Sequence, residues 1–392
     1  MRTKIRALAA LATLGGLAIL AGCGTANAAT GQGVGSTIQV SAAPSTPPAT
    51  VAIAAPASGA TNIPTSSEIV FTGAASAAAA VTLADSSGAA VGGSMRSDGS
   101  AWVPASQLKY GTIYTATVNG ASAVTFTTMN RPGRTVNVST SIADGQTYGV
   151  GMPIVVNFGS NVAADQRANV ERRLLVTSEP AQVGSWFWFN GQEVHYRPKD
   201  YWQEGTTLAI RLATGGLSFG GNGYGARDVT VHASIGDKIL MTTDNATKTM
   251  TVTRRDEVLK TIPISLGKAS TPSSSGSMVV MTKARSELFV STDPEDPYRE
   301  TVYWTQRLTS SGQYIHAAPW SVGSQGRRNV SHGCTNMSTD NAKWLFGITH
   351  VGDPVVVKGT PRKLDWGNGW TDWDRSWTDY LKGSALPAPT AG

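Results

Sequence analysis

The chain has 392 residues, 41% of them hydrophobic and 15% charged, which is enough apolar material for two or three packed domains. The 43 glycines, with abundant Ala, Ser, Thr and Val, point to strands rather than helices. The formal charge of +6 falls to +3 once Arg2, Lys4 and Arg6 are set aside as a leader. No basic cluster interleaves with aromatic residues, so nucleic acid is excluded as a partner.

Residues 1–22 read as an export signal. Arg2, Lys4 and Arg6 form the charged start, and Ala7 to Ala21 is a 15-residue, mostly apolar run. That suits a signal core and is short of the ~20 residues a membrane-spanning helix needs. Leu20-Ala21-Gly22-Cys23 resembles a bacterial lipobox, which implies lipidation of Cys23. The expected location is then the cell envelope, on the outer face of the plasma membrane and facing the cell wall. With Cys23 so used, Cys334 is the one remaining thiol and no intrachain disulfide is available. Residues 23–48 are rich in Gly, Ala, Ser, Thr and Pro and read as a flexible tether.

Residues 49–130 contain short alternating runs punctuated by glycine, asparagine and proline: Glu68-Ile69-Val70-Phe71, Thr112 to Val118, and Ala123 to Phe126. The pattern predicts a small immunoglobulin-like β-sandwich. Residues 131–234 predict a second. Gly59 and Phe71 in the first module have an echo in Gly145 and Phe158 in the second. In Trp186-Phe187-Trp188-Phe189, alternation puts the tryptophans on one face and the phenylalanines on the other. This predicts a strand covered on both sides, with a glycan-stacking surface as the alternative. His195 reads as a structural side chain.

From Ile235 the pattern turns to regular strands, predicted around Lys238–Met241, Thr249–Thr253 and Glu257–Ile264, with Met278–Met281 after a turn-rich link. Residues 283–314 are long, polar and aromatic and predict a functional loop. Ser338 is a cap for a helix from Thr339 to Phe346, with Gly347 as its stop. Val355 to Lys358 closes a domain assigned to residues 235–360. In the extension, residues 361–392, Trp366, Trp370, Trp373 and Trp377 have helical spacing. They are expected to pack back onto the preceding modules, with disorder from Ala385 onward.

The chemistry centres on Ser331-His332-Gly333-Cys334-Thr335-Asn336, with His316 eighteen positions before Cys334. A lone thiol with histidines upstream and beside it is a candidate acyl-transfer nucleophile, because an imidazole can take the thiol proton or stabilise the thiolate. This motif resembles the catalytic motif of L,D-transpeptidases, which cross-link bacterial peptidoglycan. The likeness runs through nearly the whole exported chain to the mycobacterial multi-domain type.

The resemblance implies a mainly β architecture, with two immunoglobulin-like modules ahead of an L,D-transpeptidase catalytic β-sandwich and a Trp-rich extension. It implies peptidoglycan stem peptides as donor and acceptor, carbapenem β-lactams as covalent inhibitors, and no cofactor or metal. Cys334 is the implied nucleophile and His316 the general base, oriented by the main-chain carbonyl of Ala317. Gly333 and Cys334 main-chain N–H groups, with the Tyr298 hydroxyl from a lid at 283–314, are the implied oxyanion donors. His332 shapes the loop, and Tyr314, Trp320, Ser331 and Asn336 are expected to contact substrate. Lys283 and Leu288 depart from what such relatives often carry.

Alternatives remain on the sequence alone. Water as acceptor makes the same site an L,D-carboxypeptidase. His316, His332, Cys334 and His350 offer four zinc ligands, although without the close ligand pairs of a structural site. A papain-like peptidase would place its cysteine before its histidine, and a sortase would carry a Thr-Leu-x-Thr-Cys strand and a later arginine. The modules and tryptophans also fit a wall-binding protein with an inactive end domain.

Overall fold

The computed structural model describes residues 51–72, 79–96, 98–119, 123–291 and 297–387. The signal, Cys23 and the tether lie outside them, as do residues 388–392. Among the described residues no helix is long and apolar enough to cross a membrane.

In the strand Ile113–Val118 alternate residues point inward: Tyr114, Ala116 and Val118 are buried while Ile113 is exposed. With Ile69, Leu83, Trp102 and Phe126 they fill the space between two four-stranded sheets. The second module repeats the plan on a larger scale, with Ile154–Phe158, Glu193–Pro198 and Gly184–Trp188 facing Thr207–Leu212 and Val229–Ile235. Trp186 and Trp188 point into its core, as the alternation predicts. Phe187 points the other way, onto Phe189, Trp366 and Tyr380. Buried indoles need partners for their N–H. Trp202 Nε1 donates to Met152 O at 2.8 Å, and Trp188 Nε1 to Glu171 Oε2 at 2.9 Å.

The echo between the modules has a structural counterpart. Gly59 (φ +77°) and Gly145 (φ +71°) each turn the chain into a short strand that pairs parallel with the last strand of its module. Positive φ is the conformation glycine adopts without a steric cost. Glu68, buried where the modules meet, accepts from Arg96 and is ion-paired with Arg173 of the second module.

The C-terminal domain stacks two sheets around Ile239, Met241, Met250, Ile264, Met278, Ile315 and Val355. The six-stranded sheet runs Glu257–Pro263, Thr249–Arg254, Ile239–Asp244, Pro354–Lys358, Ser274–Val279, Arg362–Lys363. The four-stranded sheet runs Thr282–Val290, Arg299–Arg307, Tyr314–Ala317, Thr335–Met337. The domain is tied to the second module by main-chain bonds: Gly149 N to Val351 O at 2.8 Å, and Gly151 N to Gly352 O at 2.9 Å. A Cβ on Gly149 would meet Asp353 at 2.2 Å, so this seam admits no side chain there.

Three expectations are corrected. Residues 283–314 are not a long loop: they are largely the hairpin of Thr282–Val290 and Arg299–Arg307, paired in register from Thr282 opposite Arg307 to Val290 opposite Arg299. The hairpin borders a cavity on one face and solvent on the other, so its sequence lacks the usual apolar alternation. The helix continues past Gly347 to Ile348. Ser338 caps its start, accepting from Asn341 N at 3.3 Å. At its other end the half-buried Lys283 ammonium donates to the carbonyls of Phe346 and Thr349, which offsets the carbonyl charge there.

The tryptophan tail is not one helix. Gly367 (φ +79°) and Gly369 (φ +92°) break it, and regular helix is confined to Trp377–Leu381. Its destination is nevertheless the second module. Trp366 stacks on Phe189 at 4.8 Å, Trp373 donates Nε1–H to Gly151 O at 2.7 Å, and Arg197 lies over Trp373, Trp377 and Tyr380. His195 is fully buried beneath this contact, between Asp372 and Glu193.

Candidate active site

The distance in sequence between His316 and Cys334 is closed by one strand pairing. Tyr314–Ala317 runs parallel to Thr335–Met337, with Ile315 opposite Thr335 and His316 opposite Asn336. Cys334, just before the second strand, therefore comes beside Tyr314. The intervening chain makes a 3-10 turn at Pro319–Ser321, and the segment that follows the strand Glu257–Pro263 staples this region down. Ser265 and Asn336 exchange main-chain bonds of 3.0 and 2.9 Å, and Ser331 N donates to Leu266 O at 3.0 Å.

The turn carrying the thiol is held by its own polar groups. The Ser331 hydroxyl donates to Cys334 O at 2.6 Å and accepts from Gly333 N at 3.1 Å, while Ser273 Oγ donates to Gly333 O at 2.7 Å. Gly333 has φ +122°, a region that side chains with a Cβ rarely adopt. The Gly333 N–H, expected to face an oxyanion, is thus committed to Ser331. Cys334 N–H and the Tyr298 hydroxyl are the remaining expected donors.

His316 is buried, and its Nδ1 donates to Ala317 O at 2.9 Å, which leaves Nε2 as the lone-pair nitrogen. Burial pushes its pKa down to about 4 against the opposing Ala317 carbonyl. Cys334 is half-buried and a free thiol, with Sγ 3.8 Å from Gly312 O. Desolvation pushes the thiol up to about 11, while the Tyr314 main-chain N–H works in the other direction. At neutral pH both groups are uncharged.

A cavity of about 370 Å³ joins them. His316, Cys334, Ser331, His332 and Asn336 line one side, Tyr298, Glu300, Val302 and Phe289 from the hairpin the other, with Trp320 and Val330. Trp320 is 59% exposed, its ring 6.2 Å from that of His316. The His332 ring is tilted against that of Tyr298 at 4.9 Å, and its Nε2 lies 3.2 Å from Lys268 Nζ. Asn336 Nδ2 donates to Ser321 Oγ at 3.3 Å; its Oδ1 is buried with no hydrogen-bond partner among the described residues. Tyr314 does not line the cavity: its ring packs on Phe289 at 4.6 Å, and its hydroxyl donates to Glu287 Oε1 at 3.1 Å.

Among the described residues no three His, Cys, Asp or Glu side chains could hold a metal ion, and His350 is not a cavity residue. Leu288 points outward, 48% exposed. The sequence reading missed Lys268, Phe289, Glu300, Val302 and Val330. The alternation Tyr298, Glu300, Val302 was the available signal, visible once Arg299–Arg307 is seen as a strand.

Comparison with known proteins finds two families in the chain. Residues 60–218 match the bacterial Ig domain family, and residues 238–357 match the L,D-transpeptidase catalytic domain family. The chain is similar to L,D-transpeptidase 2 of Mycobacterium tuberculosis (strain CDC 1551 / Oshkosh), 34% identical over 315 residues, covering 77% of this chain and 76% of that protein. It is 32% identical over 327 residues to L,D-transpeptidase 5 of Mycobacterium tuberculosis (strain H37Rv), covering 79% and 72%. Among solved structures, the LD transpeptidase LdtMt1 in complex with imipenem is 36% identical, covering 58% of this chain and 100% of that one, with a TM-score of 0.49. The chain belongs to the L,D-transpeptidase family, with an Ig-like region ahead of the catalytic domain.

Proposed function

We propose that the protein forms 3→3 cross-links between peptidoglycan stem peptides through a thioester on Cys334. The observation that carries this reading is the shared cavity of Cys334 and His316, with the imidazole held by Ala317 O in the tautomer that leaves Nε2 to accept a proton. The Cys334 sulfur attacks the carbonyl between the third residue of the donor stem, a diamino acid, and its terminal D-Ala. His316 Nε2 takes the thiol proton and returns it to the departing amine of D-Ala. The side-chain amine of a second stem then attacks the thioester and releases the thiol.

The first tetrahedral oxyanion is held by Cys334 N–H and the Tyr298 hydroxyl. Tyr298→Phe is expected to lower the acylation rate about 100-fold, the usual cost of one such donor; an unchanged burst of D-Ala in rapid-quench experiments would remove Tyr298 from this role. Trp320, Ser331, His332 and Asn336 form the wall against which the donor stem lies, and the orphan Asn336 Oδ1 suits a substrate N–H.

The reading is tested by intact mass after incubation with a carbapenem, whose strained amide is an acyl donor of the same kind. One drug mass, mapped to the peptide bearing Cys334, is expected on residues 49–392. No adduct would count against an acylatable thiol and favour a wall-binding role. The lipobox-like leader supports anchoring through lipidated Cys23 at the outer face of the plasma membrane. Cys23→Ala is expected to move the protein out of the membrane fraction, and retention there would refute the anchor.

A further inference from the structure

The second half-reaction has a charge problem that the groups discussed so far leave open. Its acceptor is a primary amine with a pKa near ~10.4, so at neutral pH it arrives as an ammonium. Cys334 is then blocked as a thioester and His316 is neutral. Water is far more abundant and needs no such binding. Something in the cavity must favour the amine.

We propose that Glu300 holds the acceptor ammonium and thereby sets the preference of the thioester for an amine over water. The inference rests on the acyl-transfer reading above. Among the described residues lining the cavity, Glu300 is the one carboxylate. It shares a strand face with Val302, and Tyr298, just ahead of that strand, lines the same cavity. The rings around that face give it a direction. The Tyr298 ring lies tilted against His332 at one end. Glu300 is in register opposite Phe289, whose ring is 5.5 Å from His316. The carboxylate thus belongs to the end of the cavity where the base waits, while at the Tyr298 end Lys268 Nζ lies 3.2 Å from His332 Nε2.

The neighbouring Glu287 is not available for this task. It accepts from the Tyr314 hydroxyl at 3.1 Å and from Thr305 Oγ1 at 3.2 Å. Glu300 has no hydrogen bond or ion pair with any described residue, and its side chain is exposed to the cavity mouth.

The ammonium gives one proton to His316 Nε2 and becomes a neutral amine. Its nitrogen attacks the thioester carbon, the C–N bond forms and the C–S bond breaks. The second nitrogen proton passes to the departing Cys334 sulfur, and His316 releases its proton to solvent. Glu300 takes no proton. It positions the charged amine, and because pairing also favours the charged form, its effect falls on acceptor binding rather than on the bond-making rate.

The test uses the full chain, a tetrapeptide donor ending in D-Ala, and two acceptors. Nα-acetyl-lysine amide presents an ammonium; methoxyamine is an uncharged nucleophile at neutral pH. The readout is the ratio of the two acceptor KM values. Glu300→Gln is expected to shift that ratio about fivefold against the ammonium, the scale of a solvent-screened ion pair. Glu300→Asp should keep it within about twofold, and Glu300→Lys should shift it further than Gln. In the unaltered protein the ratio should lose its ammonium preference as salt rises. An unchanged ratio in Glu300→Gln, or an equal weakening of both acceptors, would overturn the assignment. Absence of D-Ala release from the unaltered chain would overturn the acyl-transfer reading and this inference with it, whereas turnover with an unchanged ratio sinks Glu300 alone.

Discussion

Cys334→Ala is expected to lower D-Ala release by about 10⁴-fold or more, the scale of losing a covalent nucleophile, while shifting stability by less than about 1 kcal/mol. The two effects separate because the sulfur contributes little packing. It is half-buried, and its one side-chain hydrogen bond is a weak 3.8 Å contact to Gly312 O. The turn around it is held by Ser331, Ser273 and main-chain bonds that the substitution does not touch. A D-Ala release assay beside a thermal melt makes the comparison. Retained release would reject Cys334 as nucleophile. Lost release with a lowered melting temperature would mean that the substitution acts through the fold.

The charge state of the pair adds a pH signature. With the thiol pushed up to about 11 and the imidazole down to about 4, no thiolate–imidazolium pair stands ready at neutral pH. Proton transfer must accompany attack, with substrate closing the cavity. The donor kcat/KM should therefore be level across about pH 5 to 8 and fall as His316 protonates near pH 4. A bell centred near neutrality would instead indicate a preformed ion pair.

The sequence exposed the chemistry better than the architecture around it. His316 and Cys334 stand out because a lone thiol with an upstream imidazole is rare and chemically loaded, and one parallel strand pair brings their segments together. Trp186 and Trp188 against Phe187 were legible because both faces of that strand are apolar. The hairpin was not legible, because Glu287, Ser286 and Glu300 border a cavity or solvent and mask its period of two. The tryptophan tail misled for the opposite reason. Its helical spacing is real, but Gly367 and Gly369 turn the chain, and each ring finds a separate partner. The engagement of Gly333 N–H by Ser331 could not be read at all, since it depends on the rotamer of one hydroxyl.

Asp372→Asn is expected to destabilise the folded chain by about 3–5 kcal/mol near pH 6.5, the scale of breaking a buried charge pair. The effect should shrink above about pH 9. His195 and Asp372 are both fully buried, with Nδ1 at 3.0 and 3.1 Å from the two carboxylate oxygens. Glu193 Oε1 is 2.8 Å from Nε2, and Tyr380 donates its hydroxyl to both His195 O and Asp372 Oδ1 at 3.1 Å. Burial opposes the imidazolium, but Asp372 and then Glu193 outweigh it and raise the pKa to about 9. A histidine raised from about 6.5 to about 9 contributes stability that is fully present below pH 6.5 and is lost as pH rises through 9, about 3 kcal/mol in all. Asp353, whose carboxyl burial pushes up to about 8, also weakens the fold as pH rises from about 4 to 8. It does so in both proteins, so the difference between them isolates His195. Chemical denaturation followed by tryptophan fluorescence at pH 6.5 and 9.5 would show it, because Trp366, Trp373 and Trp377 report on the docked tail. Equal destabilisation at both pH values would mean that Asp372 holds the tail by hydrogen bonds alone, with His195 neutral throughout.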